Sequence, residues 1–206
     1  MIGRRAFLVG PALAPLLGGC AALEALNRDP PRIYRITSKS TFDPPPPRTG
    51  KVVLVEVPTA AAGLNTTRIA LRPKLTALDY FGNSLWVEVV PLMVQRALID
   101  SLDQSRAVDA TSTAEAPEDA DFALYTNILA FQADYDEGLG RPPVANVRIV
   151  VDLIRLPARK RSARVDFQER LRAESTSIGS IVEAIDAAMG KVLSRIVRWT
   201  AEQISG

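Results

Sequence analysis

A single thiol and no imidazole set the chemistry open to this chain of 206 residues. The thiol belongs to Cys20, which directly follows Leu17-Gly18-Gly19. Ahead of it stand Arg4 and Arg5, then an apolar run from Ala6 to Leu17. A charged n-region, a short apolar h-region and closing small residues read as an export signal with its cleavage site. The run of about 12 residues is too short to cross a bilayer, which needs roughly 20. Without histidine there is no Ser-His or Cys-His nucleophile pair and no His-containing zinc site. A lone cysteine forms no intramolecular disulfide, so the domain must hold together by packing alone. Carboxylate-only catalysis stays open in principle, and no spacing of Asp and Glu calls for it. The expectation is a chain with no catalytic residues, no metal site and no cofactor beyond a covalent group on Cys20.

A cysteine placed directly after small residues resembles a bacterial lipobox. In such signals the peptidase cuts before the cysteine, and the new N-terminal residue carries lipid. The competing reading is a buried structural cysteine behind an ordinary signal. Leu17 at minus three and Gly19 at minus one fit the lipobox, and no second cysteine competes. Arg4-Arg5-Ala6-Phe7-Leu8 resembles the core of a twin-arginine export signal; an ordinary secretory n-region holding two arginines fits equally. Ala21 stands where an aspartate would be the familiar inner-membrane retention signal, which favours the outer membrane. The expected organisation is a signal peptide over 1–19, an anchor and tether over 20–31, and one domain over 32–206.

Charge narrows the partners. Losing Arg4 and Arg5 with the signal takes the 25 basic residues to 23, equal to the 23 acidic ones. A neutral domain gives no electrostatic reason to expect nucleic acid or to bind anionic headgroups by charge alone. Attachment to a membrane must then come from acyl chains, of which about two are needed for stable anchoring.

Several elements must carry these features. Arg32 to Ile36 alternates briefly beside Pro31 and reads as an edge strand. Pro44 to Pro47 make Phe42 to Gly50 a stiff extended connector. Lys51 to Val57 is a β-branched run and reads as a buried central strand. Thr66 to Arg72, stopped by Pro73, and Leu75 to Tyr80 are short strands. Asn83-Ser84 are candidate caps for a helix from Leu85 to Leu102, with Pro91 in its first turn. Arg106 to Ala120 is a loop holding one short strand near Val108.

Asp121 to Asp134 is a long strand with apolar groups on both faces. Strict alternation would put Ala130 with Ile128 on one face and Phe131 with Leu129 on the other. Val144 to Leu156 follows after the turn at Gly138 to Pro143. Ala163 to Ala173 alternates most cleanly, with Glu169 interrupting its apolar side, so one face of the sheet is wet. Ser180 and Glu183 stand in capping-box spacing, and an apolar stripe runs from Ile178 to Thr200. The pattern predicts an α+β, two-layer domain: a mixed, mostly antiparallel sheet with two helices packed on one face.

In this order the chain resembles the ABC-type transport auxiliary lipoproteins, which include the lipoprotein of the paraquat-inducible (Pqi) pathway. The resemblance rests on the lipobox ending in Cys20, Tyr34-Arg35-Ile36 and the strand Val52 to Val57. It continues through Arg68-Ile69-Ala70-Leu71-Arg72 and the segment from Leu78 to Trp86, and closes with the strand carrying Phe131 and the alanine-rich last helix. It implies a lipoprotein facing the periplasm that accompanies an ABC permease and an MCE-domain protein. Such systems move lipids or other hydrophobic molecules between membranes. The resemblance carries no catalytic motif.

Tyr80, Phe81 and Trp86 are candidates for a groove or a partner contact, against Trp86 as a core residue. Trp199 is a candidate interface residue. Arg159-Lys160-Arg161 reads as a solvated turn or as a contact for headgroups or an acidic partner. A direct lipid carrier and a cell-wall-associated lipoprotein are the alternative functions, and a homo-oligomer fits a docking role. Replacing Cys20 with Ala is expected to leave the protein unprocessed or outside the membrane fraction; normal membrane sorting of that variant would contradict the lipobox reading.

Overall fold

The computed structural model describes residues 29–112 and 120–206. The export signal, Cys20 and the tether up to residue 28 lie outside the described residues, as does the 113–119 part of the expected loop. Pro31–Gly206 forms one compact unit. Its elements run β1 (Arg32–Tyr34), β2 (Val52–Val55), β3 (Thr59–Ala60), β4 (Arg68–Lys74), β5 (Ala77–Trp86), α1 (Val90–Ser105) and β6 (Asp109–Ser112). Then come β7 (Phe122–Asp134), β8 (Val144–Arg155), β9 (Lys160–Arg172) and α2 (Ile178–Ser205).

All the described strands share one mixed sheet. One edge of β7 pairs antiparallel with β8 over its whole length. Its other edge is taken in turn by β2, β3 and β4, each parallel to it. β9 runs antiparallel on β8, so β7 to β9 form the expected meander. β5 turns back antiparallel on β4, β1 pairs parallel with β5, and β6 pairs parallel with β2. The longest ladders are therefore the antiparallel ones. The two helices pack on each other and on one face of this sheet, giving the two-layer α+β arrangement the sequence pattern predicts.

The core lies between sheet and helices. Val53, Val55, Leu124, Ile149, Val151 and Leu153 from the sheet are fully buried against Val94, Leu98, Ile185, Met189 and Leu193 from the helices. Each large apolar side chain so buried contributes roughly 1.5–3 kcal/mol. The expected stripe of α2 is buried from Ile181 to Thr200.

Five local readings need correction. First, β5 does not stop at Tyr80 and α1 does not begin at Leu85. Ser84-Leu85-Trp86 stay extended because β1 supplies a parallel partner, Arg32 to Tyr34, which local sequence cannot show. The register between β4 and β5 jumps between Arg68↔Leu85 and Ala70↔Tyr80. Asn83 absorbs that irregularity at φ 51, a left-handed conformation that Asn tolerates better than most residues. The N-cap of α1 is the extended Val89, with no side-chain cap, and Pro91 does lie in the first turn. Second, β4 continues through Pro73 to Lys74. Its pairing with β7 ends at Arg72, so the missing N–H of Pro73 breaks no bond there.

Third, the faces of β7 swap. A bulge between Ile128 and Ala130 inserts one extra residue, and every side chain beyond it changes side. Phe131, not Ala130, joins Phe122, Leu124 and Ile128 in the core. Fourth, α2 is capped by Ser177 rather than Ser180: the Ser177 hydroxyl accepts from the Ser180 N–H at 3.3 Å. The Ser180 hydroxyl reaches back to accept from the Ser175 N–H at 3.0 Å. Fifth, Glu169 does not interrupt packing idly; it accepts from Lys191 Nζ at 3.0 Å and Arg195 Nη2 at 3.2 Å on α2.

The connector after β1 crosses the helices as a strap. The Thr37 N–H donates to Asp186 Oδ1 of α2 at 2.6 Å. Ser38 Oγ donates to Asp100 Oδ2 of α1 at 2.9 Å, and the Lys39 N–H donates to Ser101 Oγ at 2.9 Å. Ile36 and Phe42 pack on the core. Past the prolines, the Thr49 N–H and hydroxyl both donate to the Ala107 carbonyl, at 2.8 and 2.9 Å.

Candidate functional site

Four aromatic residues carry the expectation of a contact site, and the structure disperses them. Trp86 is 2% exposed, at the end of β5, and meets Phe131 edge-on at 5.6 Å and 62°. Its indole N–H has no hydrogen-bond partner among the described residues. It is a core residue. Tyr80 is half-buried in the same strand; its hydroxyl donates to the Gly63 carbonyl at 3.0 Å and the Arg68 guanidinium lies 3.8 Å above its ring. A Cβ at Gly63 would fall 2.6 Å from Cδ2 of the exposed Leu78, whose side chain would have to turn away. Phe81 is half-buried and packs on the core. Trp199, on α2, is half-buried edge-on to Phe167 of β9 at 6.4 Å, with Arg195 5.5 Å from the Phe167 ring. Tyr80, Phe81 and Trp86 thus share a strand but not a surroundings, and Trp199 belongs to a separate contact.

Sequence reasoning missed a polar belt on the open face of the sheet. Asp134 is fully buried at the end of β7. Its Oδ2 accepts from Arg72 Nη2 of β4 at 2.6 Å, from Asn146 Nδ2 of β8 at 2.8 Å and from Arg170 Nη1 of β9 at 3.2 Å. Its Oδ1 accepts from Gln132 Nε2 at 3.0 Å. Asn146 Oδ1 accepts from Gln168 Nε2 at 2.9 Å, and Gln132 Oε1 from the Phe131 N–H at 2.8 Å. Four donors thus meet this carboxylate, three on Oδ2 and one on Oδ1. The belt ties β4, β7, β8 and β9 together through this one carboxylate. Its trace in the sequence is the alternation of Gln132, Asp134, Asn146, Gln168 and Arg170, which a bulge-free reading of β7 scrambles.

Other charged groups are partnered at the surface. Asp166 is held below the usual carboxylate range chiefly by its hydrogen bond from Arg148, at 2.6 Å. Asp121 is lowered by the hydrogen bond from Lys51 Nζ at 2.9 Å and then by the Val52 N–H at 3.0 Å. Burial pushes Asp103 and Tyr135 upward. Among the described residues no group of Cys, Asp and Glu is placed to hold a metal ion. No described helix is long and apolar enough to cross a membrane.

Open clefts flank the strap. One, of about 570 Å³, lies between the strap and α1, lined by Arg35, Ser38, Glu88, Arg96 and Asp100. The other, of about 410 Å³, lies between the strap and α2, lined by Lys39, Asp186 and Lys191. Both are lined largely by polar side chains.

Fold and surface together define a two-layer α+β module. Residues 34–197 match the ABC-type transport auxiliary lipoprotein component family, and the chain belongs to that family. It is a family of transport auxiliary lipoproteins and not of enzymes. An uncharacterised protein of Bradyrhizobium diazoefficiens is 26% identical over 189 residues. The match takes in 91% of this chain and 48% of that protein, so the chain spans about half the length of that curated relative. A crystal structure of a Xanthomonas campestris protein superposes with a TM-score of 0.76 at 22% identity, covering 83% of this chain and 95% of that one. An uncharacterised protein of known structure gives 0.65 at 13% identity, covering 84% and 99%. These likenesses establish the fold.

Asp134→Ala is expected to cost about 3 kcal/mol or more in urea denaturation, because it strands Arg72, Arg170 and Asn146; a loss below about 1 kcal/mol would contradict the belt's role. Asp121 gives a pH signature. Its folded value is lowered, so its contribution is present above the ordinary Asp value of about 3.9 and is lost as pH falls through the folded value. The stability gap between the wild-type protein and Asp121→Asn is therefore expected to be widest near neutrality and to close below about pH 4.

Proposed function

We propose that this protein is a lipid-anchored, non-enzymatic component of an ABC/MCE-type transport system for lipids or other hydrophobic molecules. Cys20 carries the covalent lipid, the anchor sits in the outer membrane, and the α+β domain faces the periplasm. Its work is protein–protein docking with the ABC permease and the MCE-domain protein. A homo-oligomer is compatible with this role. The observation that carries the reading is the family match across residues 34–197.

The interior favours docking over direct carriage of lipid. An acyl chain needs a largely apolar pocket, typically of several hundred Å³. The large side chains between sheet and helices are packed with almost no exposure, and the clefts beside the strap are open to solvent rather than enclosed. The carrier and the cell-wall alternatives have no observation in their favour.

Affinity purification of the full-length protein from native membranes after crosslinking tests the reading. The permease or an MCE-domain protein is expected among the partners recovered from wild type and absent when Cys20 is replaced by Ala. Recovery of cell-wall enzymes with neither transport component would sink it.

A further inference from the structure

The tip of the β8–β9 hairpin gathers cations around an apolar floor. Tyr125 of β7, Ile154 of β8 and Leu156 form that floor, and Asp152, Arg159 and Arg161 wall an open concavity of about 370 Å³. Tyr125 is 44% exposed, a large aromatic left bare on the open sheet face. Asp152 is shared by Arg161 Nε at 2.9 Å and Arg164 Nη1 at 3.2 Å. Arg159 and Lys160 have no ion-pair partner among the described residues. Four cations, Arg159, Lys160, Arg161 and Arg164, thus gather around Asp152, with Glu56 of the neighbouring β2 end beside Tyr125. Arg159 also sits at φ 50, a left-handed turn position that Gly or Asn would occupy with less strain.

We propose that this concavity docks an acidic segment of a partner protein. An apolar side chain of that segment covers Tyr125, Ile154 and Leu156, while its carboxylates meet Arg159, Lys160 and Arg161. Tyrosine and arginine are the side chains that dominate protein interfaces. Guanidinium groups bind carboxylates in a fork, so an acidic segment gains geometry as well as charge. A flat anionic bilayer fits less well. Each cation near such a surface contributes about 1 kcal/mol, and only two here are unpaired. The proposal rests on the docking reading above only for the partner's belonging to the transport system.

The test uses the full-length protein in detergent and a fluorescein-labelled peptide of alternating Glu and Phe. The same peptide with Lys for Glu, and phosphatidylglycerol vesicles, are the comparison probes. The acidic peptide is expected to bind, with affinity that falls as salt is raised. Arg159→Glu with Lys160→Glu is expected to weaken it about tenfold or more, and Tyr125→Ala about fivefold, while circular dichroism stays unchanged. Arg141→Glu, at the far end of the hairpin, is the control and is expected to bind as wild type does. Equal binding of the Lys peptide, unchanged binding by the tip variants, or capture of vesicles without the peptide would each overturn the proposal. If the tip variant still co-purifies the transport components, this surface is wrong and the docking function stands. If wild type fails to recover them, the docking function falls while the peptide result is read on its own.

Discussion

Hydrogen bonding along both edges of β7 is the constraint on which the rest of the molecule depends. One edge holds β8 for its full length; the other holds β2, β3 and β4 end to end. Those three are short strands that would not order themselves in isolation. Through them β7 also positions β6, β5 and β1, which pair only with these neighbours. The core follows from the same strand, because Phe122, Leu124, Ile128 and Phe131 present one apolar face to the helices. A single extra residue near Leu129 makes that face continuous. With strict alternation, Phe131 would leave the core and the Asp134 carboxylate would turn into it unpaired, which no packing could offset.

The bulge therefore decides two things at once: which aromatic meets Trp86, and where the buried acid goes. On the open face Asp134 meets donors from β4, β8 and β9, and the network spans the width of the long meander. Further along the same face, Arg148 pairs with Asp166, and Arg161 and Arg164 share Asp152. Pairing is nearly complete toward Asp134 and incomplete at the hairpin tip. That gradient leaves the surplus positive charge beside the exposed Tyr125, which is where recognition, rather than stability, has something to gain.

Much of this was legible in the residues. The alternation of β9 and the stripe of α2 each reflect a single periodicity with a single buried face, so they survive translation into structure almost unchanged. The two-layer arrangement follows from them. What could not be read were features set by distant partners. Ser84 to Trp86 look like a helix start until β1 arrives to pair with them. Ser180 fits a cap by its spacing to Glu183, yet the helix begins at Ile178 and Ser177 caps it. The polar belt was hidden for a different reason: its members lie on four strands and share a face only once the β7 bulge is counted. The candidate aromatics were chosen by size, and size alone does not separate a core tryptophan from an interface one. Trp86 and Trp199 differ by what packs over them, Phe131 in the interior and Phe167 at the sheet's margin.

The strap shows how the domain holds its own N-terminal side. Its hydrogen bonds to Asp186, Asp100 and Ser101 are partly or fully exposed, and such bonds add on the order of 1 kcal/mol each. Burial of Ile36 contributes more, roughly 1.5–3 kcal/mol for a buried large apolar side chain, and the half-buried Phe42 adds a smaller share. The polar ties therefore fix where the strap lies, while the two apolar plugs keep it there. Behind it β1 contributes only a three-residue pairing with β5. Tension applied at Pro31 meets this short strand and these plugs before it reaches β7. Release of residues 31–50 leaves the ladders of β7, β8 and β9 in place, so it breaks fewer interactions than loss of the meander. The face that carries Tyr125 and the arginines belongs to the meander and not to the strap, so the two ends of the fold are held by separate sets of interactions.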